Sequence, residues 1–329
     1  MKDTREALLT SDSSGESYSA ALWDPRTGSL LSQFRNASPL GPNSLNILNK
    51  TYLIAADASK PRIHIWPLNS QVPVTNLRLT PPGKVSSLTC TSCGTFIAAA
   101  VDEKIFIWQT STGKLLRTLA RHYQGVTSLK FSPDDAFLAS GGQDGLVFLW
   151  SFARVLSNFN EAGLLHGFSD HTLGIKDIYL GASRSRLISV SLDRTARIYD
   201  ANSGTQLVVL IFDVPLTSVT MDARECLLFV GCSNGQIRML DMRSPPRGRE
   251  HHVPAEKDGG LIFKGHSGNV TCLSVSIDCI TLVSGASDGN VNIWDIPSRQ
   301  IVRTVQHKGQ ITNAMLVPTF GNFKADVLQ

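Results

Sequence analysis

Three histidines, three serines and three aspartates of this chain stand at spacings that invite a hydrolytic reading. His122, Ser140 and Asp144 are followed by the same residue types at His171, Ser189 and Asp193, and again at His266, Ser284 and Asp288. A histidine that polarises a serine hydroxyl, with an aspartate fixing its tautomer, is the machinery of acyl transfer. Such a set is expected once, beside donors that would hold an oxyanion. Here it recurs in one register against an aromatic anchor: Trp150, Tyr199 and Trp294. Each histidine precedes its anchor by 28 residues, each serine by ten and each aspartate by six. Recurrence in register points to a repeated strut of buried polar groups satisfying one another, at about 0.5–1.5 kcal/mol net per hydrogen bond.

The anchors set the period of the elements that must position these groups. Trp23, Trp66, Trp108 and Trp150 lie 43, 42 and 42 residues apart, "TARIYDANSG" and "QIRMLDMRSP" repeat the pattern around Tyr199 and Leu240, and Trp294 is the seventh anchor. A period near 40–45 with a Trp-Asp dipeptide closing a short alternating strand is the sign of a propeller blade. Blades are numbered here by their anchors, Trp23 marking the first. The third predicts four strands, "KVSSLTC", "TFIAAAV", "KIFIWQT" and "KLLRTLA", and the other units are read in the same way. Gly28, Gly113 and Gly204 each follow an anchor by five residues, where a tight hairpin needs a left-handed residue. The N-terminus supplies only "EALLTSD", "SAALW" and "SLLSQF", while residues 311–317 of "HKGQITNAMLV" have no strand to follow them. Pairing these closes the ring and removes two aggregation-prone edges. The expectation is an all-β chain: one seven-bladed propeller over residues 1–318, then a tail at 319–329 that starts an extension.

Alternation of loops places the histidine and aspartate loops on one face. The opposite face carries two insertions. Anchor to next loop histidine takes 14 residues from Trp108 and 13 from Trp294, but 21 from Trp150 and 26 from Leu240. The extra residues fall at about 151–168 and 242–260, and insertions of this kind often form a binding face. In the first, Phe152, Val155, Leu156 and Phe159 have helical spacing. The second, "MRSPPRGREHHVPAEKDGG", reads as an extended surface loop whose prolines and charges forbid burial. Phe152, Leu156, Phe159, Arg243, Pro245, Pro246, Arg247 and Arg249 are the candidate partner contacts.

Other signals are weaker. Charged residues are 18% of the chain, below the ~25% of an average soluble protein, which suits strands buried on both faces. The net charge of +4 permits nucleic-acid contact without arguing for it. "CTSC" at Cys90–Cys93 lacks a second pair, and His251-His252 lacks a ligand partner, so neither a metal nor a cofactor is expected. No apolar run reaches the ~18 residues of a membrane span, and no secretory h-region opens the chain, so its cysteines read as reduced intracellular thiols. The second, third and sixth blades lack the loop histidine; the third has Ala98 at the serine position and keeps Asp102. "WDPR" at Trp23–Arg26 and "LDMR" at Leu240–Arg243 match a WDxR turn that propellers use to dock on cullin ubiquitin ligases, which makes a ligase substrate receptor the alternative function.

Residues 7–320 resemble a WD40-repeat protein. "RHYQGVTSLKFSPDD", "LIFDVPLTSVTMD", "GHSGNVTCLSVSIDCITLVSGASDGNVNIWD" and "RTVQHKGQITNAMLV" are similar to the WD-repeat protein 18 family. The resemblance implies a non-enzymatic scaffold of the nucleolus and nucleoplasm, a subunit of the rixosome acting on large-ribosomal-subunit precursors and rRNA processing. The implied partners are a PELP-type helical-repeat subunit, a testis-expressed armadillo-type subunit, the AAA ATPase midasin and the pre-ribosomal particle. Direct RNA contact by "RSPPRGR" is a further, minor expectation.

Overall fold

The computed structural model of the chain describes residues 6–75, 79–157, 163–181, 186–243, 248–253, 261–319 and 323. Its strands form seven sheets, one per anchor and antiparallel but for one added strand, arranged as a seven-bladed propeller. The third blade occupies Val85–Cys90, Phe96–Val101, Lys104–Gln109 and Leu115–Ala120, the runs read from alternation. Its second strand, next to the inner one, is apolar on both faces because neighbouring blades cover both, whereas the outer strand is largely exposed. The expected hairpin glycines have φ of 71°, 66° and 71° at Gly28, Gly113 and Gly204, and Arg299 takes the same place in the seventh blade at 60°.

Closure follows the expected route. Ile311–Pro318 pairs antiparallel with Glu6–Asp12, from Glu6↔Pro318 through Thr10↔Ala314, so the first blade joins both ends of the propeller. Between blades, the second residue of an inner strand reaches across to the next one. The hydroxyls of Ser86, Thr127, Thr217 and Thr271 donate to the carbonyls of Val126, Ile175, Val270 and Ile311 at 2.5, 2.8, 2.6 and 2.8 Å. The fit beside these bonds is tight. A Cβ on Gly285 would lie 2.5 Å from Ile311, and one on Gly141 2.7 Å from Ile178, so only glycine admits the neighbouring blade there.

Two departures from a uniform four-stranded unit appear. Among the described residues the second blade has three strands, Asn46–Leu48, Tyr52–Ala56 and Ile63–Pro67, and its outer position shows the isolated bridge Ile63↔Leu79 and a hydrogen bond from Val74 N to Ile65 O at 2.8 Å. Pro67, Pro73, Pro81 and Pro82 remove amide donors from that stretch. The fifth blade has five strands, because Glu250–His252 adds in parallel to Gln206–Ile211. The sixth-blade insertion is therefore not simply a loop. It crosses to the neighbouring blade, with Val209 N donating to Arg249 O at 2.7 Å and Val253 N to Ile211 O at 2.9 Å. The bare outer edge of the fifth blade supplies the ladder groups that outweigh the charged composition. The sixth blade's own outer strand is Leu261–Phe263, directly after the insertion. Beyond the last strand, Phe323 packs on the apolar cluster of Leu9, Leu22 and Val317, so part of the tail lies against the first blade.

Asn313 secures the closure chemically. Its buried amide donates to Gly41 O at 2.8 Å and Ser11 Oγ at 2.9 Å and accepts from Ser44 N at 3.1 Å. Asn313→Ala leaves those groups without a partner and is expected to lower the unfolding free energy by about 2 kcal/mol. Urea denaturation checks this, and a loss below about 0.5 kcal/mol contradicts it.

Candidate functional site

The three histidine sets form as the register demands, and their geometry decides against catalysis. In the fourth blade His122 Nδ1 lies 3.0 Å from Asp144 Oδ2, His122 Nε2 lies 3.0 Å from Ser140 Oγ, and Trp150 Nε1 donates to that same oxygen at 3.1 Å. The seventh blade repeats this with His266, Asp288, Ser284 and Trp294 at 3.2, 2.7 and 2.7 Å. Donor and acceptor roles assign one direction: indole N–H to serine oxygen, serine O–H to Nε2, and Nδ1–H to carboxylate. Ser140, Ser189 and Ser284 are 0% exposed, so no substrate can reach the hydroxyl. Each carboxylate also takes a backbone N–H of the histidine loop: Tyr123 N to Asp144 at 2.9 Å, Thr172 N to Asp193 at 3.1 Å and Ser267 N to Asp288 at 3.0 Å. The sets are struts that fix loops.

The fifth blade corrects the expected four-membered chain. His171 binds Asp193 at 2.8 Å and Ser189 at 2.7 Å, but the Tyr199 hydroxyl donates to Asp170 Oδ2 at 3.1 Å. An indole N–H leaves from the side of its ring and a phenol O–H from the tip, so the tyrosine's proton goes to Asp170 although the hydroxyl stays beside Ser189.

Two further sets escape the register. In the first blade the Tyr18 hydroxyl bonds His307 Nδ1 at 3.0 Å, Asp12 Oδ2 lies 3.7 Å from the same nitrogen, and Trp23 Nε1 donates to Thr10 Oγ1 at 2.8 Å. His307 keeps its spacing from Trp294, but a longer loop puts Asp12 eleven residues before Trp23 rather than six. In the second blade the histidine moves onto the third strand, where His64 Nε2 lies 3.3 Å from buried Asp57. In the third, buried Ala98 leaves Asp102 outside any such set; it turns a hairpin at φ 51°.

The candidate partner contacts divide. Phe152–Leu156 is a helix, as the spacing suggests, but Phe152 is buried against the rings of Phe96 and Phe131 at 5.2 and 4.9 Å. Arg117 of the third blade ties the helix down through Val155 O and Ser157 O, both at 3.1 Å. Phe152 therefore belongs to the core, while Leu156 is half-buried. Arg243 and Arg249 are exposed, Arg243 gripping Asp241 of its own turn. Phe159, Pro245, Pro246 and Arg247 lie outside the described residues. Arg26, the other WDxR arginine, is exposed, and its carbonyl accepts from Arg303 Nε at 2.6 Å.

A cavity of about 250 Å³ occupies the central channel, lined by residues that include Lys130, Tyr179 and Asp177. Burial pushes the Asp177 carboxyl up, and three donors oppose this: Ile178 N at 2.9 Å, Val219 N at 3.1 Å and Ser128 Oγ at 3.2 Å. Burial likewise raises the Cys90 thiol to about 12, so that half of the CTSC pair is inert at neutral pH. Among the described residues no three His, Cys, Asp or Glu side chains gather as metal ligands, and no helix is long and apolar enough to cross a membrane.

Comparison with known proteins agrees with this architecture. The "WD domain, G-beta repeat" family matches residues 113–151, 163–200 and 260–295, the three stretches that carry the loop-histidine sets. The WD repeat-containing protein 18 of Danio rerio is 36% identical over 96% of this chain and 74% of its own length. That of Rattus norvegicus is 39% identical over 94% of this chain and 73% of its own. The pre-rRNA-processing protein IPI3 of Yarrowia lipolytica is 29% identical over 86% of this chain and 69% of its own.

Burial holds the His122 and His266 imidazoles below their ordinary value of 6.5 despite the pull of Asp144 and Asp288. Below pH 6.5 the unfolded chain therefore binds protons that the folded chain resists, and stability falls with pH through that window. Burial would raise the Asp12 carboxyl, but His307, Gly15 and Ser14 hold it at about 2, which adds a second loss only below about pH 4. Chemical denaturation from pH 8 to 4 should show the first decline beginning near neutrality; a flat profile down to pH 5 contradicts it. Ser284→Ala leaves the Trp294 N–H without a partner and His266 Nε2 with only the longer contact to Asn292 Nδ2 at 3.3 Å, and should cost about 2 kcal/mol on the same assay.

Proposed function

Because this chain belongs to the WD repeat-containing protein 18 family, we propose that it is a non-enzymatic propeller scaffold for pre-rRNA processing and large-ribosomal-subunit assembly. The observation that carries this reading is similarity along nearly the whole chain to that family, together with a relative named for pre-rRNA processing. The scaffold part is supported by the sealed histidine sets and by insertions that add a helix and a strand to otherwise repetitive blades.

The finer reading is a nuclear role in the rixosome. There the chain would bind a PELP-type helical-repeat subunit and a testis-expressed armadillo-type subunit, and help recruit midasin to the pre-ribosomal particle. The sixth-blade insertion suits a protein contact: parallel pairing fixes Glu250–His252, and exposed Arg243 and Arg249 flank the prolines Pro245 and Pro246.

Affinity purification of the tagged chain from nuclear extract should recover large-subunit precursors and the helical-repeat subunit. Replacing Arg243, Arg247 and Arg249 together by glutamate should reduce recovery of that subunit several-fold without changing the melting temperature. Recovery of neither particle nor subunit by the unmodified chain overturns the assignment.

A further inference from the structure

The face that carries the histidine and aspartate loops is unevenly charged. From the second blade to the fourth, Lys60, Arg62, Lys84, Lys104 and Arg121 stand exposed on successive loops. Contacts between those loops make a continuous arc. Ile63 N donates to Leu79 O at 3.2 Å, joining the turn of Arg62 to the segment that leads to Lys84. Gly83 packs beside Val101 and Asp102, next to Lys104. Val126 N donates to Asp102 O at 2.8 Å, which sets the loop of Arg121 alongside. Among the described residues none of these five cations makes an ion pair.

Four carboxylates along the arc, Asp57, Asp102, Glu103 and Asp144, offset part of this charge, but two of them turn into the blades. Asp57 turns toward His64 and the amides of Ser59 and Lys60, and Asp144 toward His122. Asp57 and Asp144 keep their charge but lie buried, so Asp102 and Glu103 are the carboxylates that face solvent beside five exposed cations. On the opposite face charges alternate instead, with Arg243 bound to Asp241 and the turns of Asp24, Asp200 and Asp295 between basic neighbours.

Tyr123 stands at the end of the arc, 83% exposed. Its amide is held by Asp144, which His122 holds in turn, so the ring rides on a backbone fixed by the strut. A preorganised, exposed aromatic ring beside unpaired cations suits bases that stack and phosphates that pair.

We propose that this arc binds single-stranded RNA, the five cations taking backbone phosphates and Tyr123 stacking on a base. An acidic protein segment would engage the same cations but leave the ring without a role. The inference goes beyond the scaffold assignment, because it requires no partner protein, and its failure leaves recovery of pre-ribosomal particles untouched.

The test is fluorescence anisotropy of the purified chain with a labelled single-stranded oligouridylate, in roughly 50 to 200 mM KCl. Binding should weaken linearly in log salt. Lys84→Ala/Lys104→Ala/Arg121→Ala should lower the slope by about 2, at about 0.7 per phosphate contact, and weaken binding more than about tenfold at the low-salt end. Tyr123→Ala should weaken it about tenfold with the slope unchanged. Lys114→Ala, on the other face, should bind as the unmodified chain does. If the triple variant melts early, Lys84→Gln and Lys104→Gln singly should each lower the slope by about 0.7. No binding at about 50 mM salt, or wild-type affinity in the cation variants, overturns the proposal. Polyglutamate bound as tightly as RNA, with Tyr123→Ala without effect on either, replaces it with an acidic protein partner.

Discussion

A single hydroxyl at the second residue of an inner strand fastens one blade to the next, and the rest of the ring depends on that spacing. Ser86, Thr127, Thr217 and Thr271 all donate across the gap to the first residue of the following inner strand. The bond requires close backbone approach, which is why Gly141 and Gly285 sit where any side chain would meet an isoleucine of the next blade. Where the hydroxyl is absent, something else must bridge. The fifth blade has exposed Lys176 at that position, and its neighbour Asp177 links three blades by accepting from Ser128, Ile178 and Val219. A buried carboxylate is a costly substitute for a hydroxyl, and it is tolerated because three donors surround it.

The histidine sets solve a separate problem, fixing loops at the ring's edge. A serine between an indole and an imidazole has its donor and acceptor capacity matched inside the blade, and the aspartate extends that order to the backbone of the loop. Blades without the complete set hold together differently. The second uses His64 on a strand and apolar packing around Trp66, and the third substitutes Ala98 within an apolar cluster shared with the fourth. In a repeat array each unit answers mainly to its neighbours, so such substitutions stay local.

What could be read from the sequence follows from what was periodic. The spacing of Trp23, Trp66, Trp108 and Trp150 fixes the blades, and the unpaired run at 311–317 fixes the closure almost to the residue. The loop-histidine sets were legible because they repeat at constant offsets. Those of His307 and His64 were not, since a longer loop displaced Asp12 and the second histidine moved to a strand. The destination of Tyr199's hydroxyl depends on the ring tip reaching Asp170, which no spacing encodes. The parallel strand Glu250–His252 was illegible for a stronger reason. Its composition suits a solvated loop, and only the free edge of another blade makes it a strand. Helical spacing located Phe152–Leu156 but not the direction of its apolar face, which a cluster from two blades decides.

Joining the first strand to the last also has a cost in time. The partner of Glu6–Asp12, Ile311–Pro318, is made about 300 residues after it. At roughly 5–20 residues per second, that interval lasts about 15–60 s. Throughout it, a strand with six of seven positions buried in the finished ring presents unpaired backbone and apolar side chains. The nascent chain therefore depends on whatever shields that edge during synthesis, and a cell that slows translation lengthens the exposure in proportion.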